Sequence, residues 1–438
     1  MAVEPPLSER PETPVGQLPP QDWMQAAETR SVTAALSADG AEVRFVGGCV
    51  RDAVLKRPIR DVDIATHDPP ERVMALLQRA GITVVPTGIA HGTVTAVVGK
   101  AHYEITTLRE DVETFGRHAR VAYTDDWTAD AARRDFTMNA MFADLEGRIY
   151  DPFHGLADLA HGRVRFVGDP VRRLDEDVLR LLRFFRFHAH YGRPPMDPTA
   201  LAACRRAAPR LETLSGERVA GEIVRLLQAE HPAAVLLAMR IEGILSHVLP
   251  EATAFGRLKV LCWLETRAMV RPSVAPDPLR RLGAMLEADE AGIRRATGRL
   301  KLSNAQAERV LAIARPPLAI EAAMAPPAAR RALRRLGPDV FRDLVLCAWA
   351  EERSRTARPV PARSAQWMAL LDAADSWQPV ALPVRGQDCL DLGLARGKAI
   401  GPLLAAVESW WEDQDYRPGR DACLAKLREV ADSSAAGC

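Results

Sequence analysis

The chain has 438 residues, with 58 Lys plus Arg against 57 Asp plus Glu and a formal net charge of +1. It is long enough for several domains with a sizeable core, and it lacks the bulk basicity of a non-specific nucleic-acid binder, so any such partner must be held by a local basic surface. Seven scattered cysteines with no C-x-x-C pair indicate neither a disulfide framework nor a zinc ribbon, and neither a membrane-length apolar run nor a signal-peptide core is seen, so a soluble cytoplasmic protein is expected.

Residues 1–20, rich in Pro and Glu without a periodic apolar face, read as a disordered leader. Asp22 to Leu36 predicts a first helix, with Trp23, Met24 and Ala35 available for packing. Val43 to Val46 reads as a short apolar strand. Gly47-Gly48 then lets the main chain turn sharply and approach a ligand with no Cβ in the way, before a helix beginning near Val50. Backbone N–H groups at such a turn form an anion site, strengthened by the helix dipole.

Arg60 to Ala65 alternates polar and apolar residues, as a half-buried strand does, so Asp61 and Asp63 point the same way. Adjacent carboxylates repel unless a cation lies between them, and hard Mg²⁺ prefers oxygen ligands plus substrate phosphates. A Mg²⁺–nucleoside triphosphate is therefore the expected ligand. A lone D-x-D is usually an exposed strand edge, and a lone Gly-Gly is usually a turn. Their occurrence in this order, with Arg51 between them, reverses that balance.

Further on, Pro70 to Ala80 predicts a helix with Asp68 or a neighbour near its cap. Thr93 to Val98 and Tyr103 to Thr107 predict strands joined by a Gly99-Lys100-Ala101 turn. Leu108 to Asp130 is charged and poorly periodic, and reads as a mobile loop. After Val164, three- and four-residue apolar spacing predicts helices at Asp177–His190, Gly216–Leu227, Ala233–Gly243, Asn304–Ala312, Ala328–Leu336, Val340–Glu352 and Ile400–Glu412, with residues 355–363 as a linker. The fold class expected is α+β: a small mixed α/β head (21–160) followed by an elongated, nearly all-α neck (161–230), body (231–354) and tail (364–438).

The run GGCVRDAVLKRPIRDVDIAT, residues 47–66, resembles the signature of the class II tRNA nucleotidyltransferases and bacterial poly(A) polymerases, within the DNA polymerase β nucleotidyltransferase superfamily. Arg133 to Ala140 resembles that family's second motif. Tyr150 to Phe153 with Gly155 resembles the segment leading out of its catalytic domain, and Glu176 to Arg183 resembles its nucleotide-selecting helix. The likeness is continuous from Val43 to Tyr191 and persists more weakly beyond, at Ser215 to Val219, Gly243 to Glu251, and Gly386 to Leu394 with Gly397, Ile400 and Gly401.

The resemblance implies attack of an RNA 3′-hydroxyl on the α-phosphorus of a nucleotide, with two metals about 3.5–4 Å apart and pyrophosphate leaving. Asp61 and Asp63 become the catalytic metal ligands. Glu104 is the candidate third carboxylate, although a solvated strand-edge Glu fits equally well. Gly48 and Arg51 are expected on the triphosphate and Arg134 on the nucleotide, with Asp135 and Asn139 as braces.

In a helix running from Arg173 to His190, Asp177 and Arg180 share a face. In an anonymous helix they would be an ordinary ion pair. Under the resemblance they imitate a complementary base: Asp177 accepts from the exocyclic amine of cytosine or adenine while Arg180 donates to the ring nitrogen, a pattern that uracil and guanine reverse. Arg183 and Arg186 are expected on phosphate or ribose, and the helix's Leu and Phe residues in the core. The Arg109–His118 region corresponds to the loop that assists the switch from CTP to ATP, and the Gly386 segment to a helix start able to seat an RNA phosphate or to a plain helix–helix turn. The expected partners are the tRNA 3′ end, CTP and ATP, with no membrane, and the expected reaction is CCA addition. Poly(A) synthesis and a non-catalytic RNA-binding scaffold are the alternatives.

Overall fold

A computed structural model describes residues 13–115, 118–268, 271–356, 361–392, 397 and 400–436. The chain divides into two compact units, Met1–Pro250 and Glu251–Cys438.

The first unit is built on an eight-stranded sheet in the order β1-β10-β9-β2-β3-β6-β5-β4. Its strands are β1 (Gly16–Gln17), β2 (Val43–Val46), β3 (Val62–Thr66), β4 (Thr83–Gly88), β5 (Thr93–Val98), β6 (Ala101–Thr107), β9 (Phe142–Ala143) and β10 (Arg148–Tyr150). Every pairing is antiparallel except β3 with β6, which is parallel. All four residues of β2 are buried, Arg44 included, as expected of an apolar run at the sheet's centre. The Pro70–Arg79 helix buries Val73, Leu76 and Leu77, the i, i+3, i+4 stripe of a helix laid on a sheet.

Three readings need correction here. The first helix is two, Asp22–Gln25 and Ala27–Ser37, broken at Ala26 with ψ 139°. The Thr29 hydroxyl donates to the Trp23 carbonyl at 2.6 Å, fixing the kink. The leader is shorter than 20 residues, because Gly16 and Gln17 pair with Ile149 and Arg148 and Leu18 is buried; residues 1–12 lie outside the described residues. As expected, a neighbour of Asp68, Pro69, is the N-cap of the Pro70–Arg79 helix, and Asp68 itself pairs with Arg72 at 3.0 Å across the first turn. The segment after Leu108 is a two-stranded antiparallel ribbon, β7 (Arg109–Phe115) with β8 (His118–Tyr123), followed by the Trp127–Ala132 helix. A ribbon outside the main sheet needs no apolar face, so it leaves no alternation to read. Gly116 and Arg117 lie outside the described residues.

Two of the resembling segments lock together. The Asp151 carboxylate accepts from the N–H groups of Gly155 at 2.7 Å and Leu156 at 2.8 Å, starting the Gly155–His161 helix. A Cβ on Gly155 would stand 2.3 Å from the Thr137 carbonyl oxygen, so only glycine permits this approach. Around it, Phe136 packs on Phe166 at 4.9 Å and on Phe187 at 5.0 Å, and Phe166 stacks on Phe184 at 5.8 Å, which puts the Phe residues of the Leu179–Tyr191 helix in the core.

The described part of the second unit is helical apart from turns and one isolated bridge. One core gathers around Leu261, Leu264, Phe341, Leu344 and Trp367, and a smaller one around Val384, Cys389, Val407, Trp411 and Leu427. Charge is also buried: Arg280 reaches Asp343 at 2.7 Å and Glu265 at 2.6 Å, Arg281 reaches Glu265 at 2.6 Å, and Arg309 reaches Asp343 at 2.8 Å and Asp277 at 2.9 Å. Pro361 is not linker but the first residue of the Pro361–Asp375 helix, where proline's fixed φ suits a helix start. Residues 357–360, with Gly393 and Leu394, lie outside the described residues.

Gly155→Ala should lower the unfolding free energy by about 3 kcal/mol, the upper range for overpacking against an unyielding backbone. Gly221→Ala, in a helix with open space around it, should instead gain about 0.5–1 kcal/mol. Urea titration followed by circular dichroism measures both, and equal effects would refute the contact argument.

Candidate active site

β2 delivers the chain to Gly47, whose φ of 72° and ψ of −118° are strained for any residue with a side chain. The conformational demand therefore falls on Gly47, which the sequence reading did not separate from Gly48. Gly47 N–H donates to the Met141 carbonyl at 3.1 Å, and a Cβ there would lie 3.4 Å from Arg134 Nη1 and 3.6 Å from the Asn139 carbonyl. The second motif thus backs directly onto the glycine turn. The helix that follows, Gly48–Val54, sits against β3: Cys49 Sγ lies 3.7 Å from the Asp63 carbonyl.

Asp63 is the second residue of β3, and Asp61 immediately precedes the strand. In the parallel β3–β6 pair Asp63 is in register with Glu104, which places their side chains on one face at about the 4.8 Å strand spacing. Burial pushes the Asp63 carboxyl up to about 6, with Glu104 and Asp61 adding to the shift and Arg134 opposing it. Asp61, Asp63, Glu104 and Arg134 therefore converge beside the glycine turn. The three carboxylates are an all-oxygen donor set suited to a hard cation. Among the described residues no three His, Cys, Asp or Glu side chains close into a ready-made metal cage.

The arginines here are not open donors. Buried Arg51 gives Nη1 to Asn139 Oδ1 at 2.6 Å, and its Nε and Nη2 to Asp52 at 3.0 and 2.8 Å. Arg133 and Arg134 are both held at 2.8 Å by Asp130, which is 1% exposed. Burial disfavours that charge, but Arg134 and Arg133 outweigh it and keep the Asp130 carboxyl below its ordinary range. Asp135 and Asn139 are braces: Asp135 accepts from Asn139 Nδ2 at 3.0 Å and from Arg183 Nε at 2.6 Å. Arg186 gives Nε to buried Glu222 at 2.6 Å. Sequence reasoning missed Asp130, Glu222 and Arg218. Glu222 did leave a signal, since it interrupts the apolar stripe Val219, Ile223, Leu226 of its helix.

The nucleotide-selecting segment differs most from expectation. It is not one helix from Arg173 to His190: Pro170–Glu176 and Leu179–Tyr191 are separated at Asp177, which is extended at φ −152°. The cause is local, because Asp177 Oδ1 accepts from Leu179 N–H at 3.1 Å and so starts the second helix itself. Asp177 and Arg180 therefore neither share a helix face nor pair with each other. Asp177 Oδ2 accepts from Arg218 Nη2 at 2.6 Å. Arg180 bonds Glu176 and the carbonyls of Arg173 at 3.2 Å and Arg133 at 3.5 Å, which sets it beside the second motif. Asp177 and Arg218 border a cleft of about 700 Å³ that Asp61 and Asp63 do not line.

Known proteins match this chain at both levels. Residues 43–165 match a family described as the poly A polymerase head domain, and residues 195–255 one described as a probable RNA and SrmB-binding site of polymerase A. CCA tRNA nucleotidyltransferase 1, mitochondrial, of Danio rerio is 33% identical over 401 residues, covering 89% of this chain and 87% of that protein. A CCA-adding enzyme of Streptococcus suis is 42% identical over 218 residues, 49% of this chain and 53% of that protein. The crystal structure of the Bacillus stearothermophilus CCA-adding enzyme in complex with CTP superposes with a TM-score of 0.74 at 26% identity, covering 94% of this chain and 98% of that one. With its motifs in order and the Danio rerio relative matched over 87% of its length, the chain belongs to the class II family of CCA-adding tRNA nucleotidyltransferases and poly(A) polymerases.

Proposed function

We infer that this protein adds CCA to the 3′ end of tRNA from CTP and ATP, without an RNA template, and releases pyrophosphate. The observation that carries the reading is the carboxylate face of Asp61, Asp63 and Glu104 beside the Gly47 turn. The near full-length likeness to a protein named as a CCA tRNA nucleotidyltransferase favours CCA addition over poly(A) synthesis.

Asp61 and Asp63, with Glu104 as the third carboxylate, would hold Mg²⁺. When bound, the cation supplies the positive charge that lowers the pKa of the attacking hydroxyl and offsets the charge of the leaving pyrophosphate. The N–H of Gly48 and the guanidinium of Arg51 receive the triphosphate, and Arg134, next to the turn, contacts the nucleotide. Asp177 accepts from the exocyclic amine of cytosine or adenine and Arg180 donates a hydrogen bond to the ring nitrogen. UTP and GTP present the reversed pattern and satisfy neither group, so they bind more weakly. Arg183 and Arg186, oriented by Asp135 and Glu222, reach the phosphate or ribose.

No described helix is long and apolar enough to cross a membrane. The vertebrate relatives carry a mitochondrial name, whereas unbridged cysteines such as Cys49, Cys204 and Cys262 favour a reducing compartment, and the cytoplasm is the location proposed here.

Purified protein incubated with tRNA lacking its terminal CCA should incorporate C, C and A and then stop. Long ATP runs on arbitrary RNA would transfer the assignment to poly(A) synthesis. Asp63→Ala should abolish incorporation while tRNA affinity in a filter-binding assay changes less than about threefold.

Stability provides an independent readout. The folded Asp63 carboxyl titrates near 6, above the unfolded value of about 3.9, so its charge costs stability above pH 6 and the cost vanishes below about pH 4. Asp63→Asn should therefore stabilise the metal-free protein by about 1–2 kcal/mol at pH 8 and by nothing at pH 4. Urea unfolding in EDTA at both pH values tests this, and a pH-independent difference would contradict the burial account. Asp177→Ala should raise UTP incorporation relative to CTP at least about tenfold, a change of about 1.4 kcal/mol in discrimination; unaltered rejection of UTP would remove the base-mimic role.

A further inference from the structure

We propose that Tyr191 is a positioning residue that fixes the base-reading helix to the triphosphate-binding turn, so that both ends of one nucleotide are held at a set spacing. The proposal rests on the function inferred above and extends it to the last residue of the resembling stretch, to which no role was assigned. Tyr191 ends the Leu179–Tyr191 helix. Arg51 lies over its ring at 4.3 Å and Arg57 at 4.5 Å. Its hydroxyl donates to Asp52 Oδ1 at 3.1 Å, and Asp52 grips Arg51 through two bonds. Arg57 also donates to the His190 carbonyl at 2.8 Å. The helix that follows the glycine turn, with Arg57 just beyond it, is thus fastened to the end of the selecting helix by two cations, a ring and a carboxylate.

A second tie joins the same two elements. Arg51 reaches Asn139, Asn139 reaches Asp135, and Asp135 holds Arg183. Eight residues separate Arg183 from Tyr191, about 12 Å along the axis. One attachment would leave the helix free to pivot, whereas two that far apart fix its direction as well as its position. Burial of the helix itself falls to Leu181, Leu182, Phe184, Phe185 and Phe187, which are at most 4% exposed. The polar ties therefore set alignment, and the apolar face sets stability. A ligand that spans two subsites gains affinity only while their separation is fixed.

Steady-state incorporation into tRNA, with pyrophosphate as inhibitor, tests the proposal. Tyr191→Leu should raise the KM of CTP and of ATP about tenfold, lower kcat less than about threefold, and raise the inhibition constant of pyrophosphate less than about threefold, because Asp52 and Asn139 still hold Arg51. Tyr191→Phe, which keeps the ring under the cations, should fall between this variant and the native protein. If Tyr191→Leu does not fold, Arg57→Ala serves instead: its side chain is exposed, and KM should rise about threefold. Unchanged KM values in the variants that fold would overturn the proposal, as would a matching loss of pyrophosphate affinity, which would mean local collapse. Failure of the native protein to incorporate either nucleotide would instead sink the inferred function.

Discussion

Like charge on neighbouring strands is the constraint around which the first unit is arranged. The parallel register of β3 and β6 puts Asp63 beside Glu104, and burial makes Asp63 costly to ionise. A fold selected for stability alone would place an apolar residue there. Retaining the carboxylates makes sense only if a positive charge arrives with the substrate. The surrounding devices follow from that: a glycine turn close enough to present backbone N–H groups, and Arg134 near enough to moderate the repulsion without neutralising it.

Around this face the protein matches its arginines to carboxylates one by one. Asp130 holds Arg133 and Arg134, Asp135 holds Arg183, Glu222 holds Arg186, and Arg218 holds Asp177. A bidentate-capable guanidinium that is already oriented loses less rotamer entropy when substrate binds. The chain has nearly as many acidic residues, 57, as basic ones, 58, which sets its net charge at +1. The cations are there, but most of those near the site have partners within the fold.

Legibility followed the physics of each element. The strand Val43–Val46 and the helix Gly216–Leu227 lie where local pattern places them, because an apolar run and a 3.6-residue stripe report burial directly. Asp61 and Asp63 are readable from alternation and Glu104 only from the family resemblance, and strand register sets Asp63 beside Glu104. The helix break at Asp177 was not readable, since the residues on either side keep helical spacing and only a side-chain bond to Leu179 N–H interrupts them. The β7–β8 ribbon escaped because a two-stranded element needs no buried face. Partners distant in sequence, such as Asp135 for Arg183 or Glu222 for Arg186, are set by tertiary folding, and no local periodicity encodes them.

In the second unit, Glu265, Arg280, Arg281 and Asp343 are nearly solvent-free and bonded in a chain that Arg309 and Asp277 extend. Hydration of ions weakens on heating, so the penalty for keeping such groups dry falls as temperature rises while apolar burial levels off. This core should therefore lose less of its cohesion on warming than the aliphatic and aromatic cluster next to it. It should also respond steeply to single-site change, because removing one member strands a charge, whereas replacing the set with apolar residues of like volume strands none.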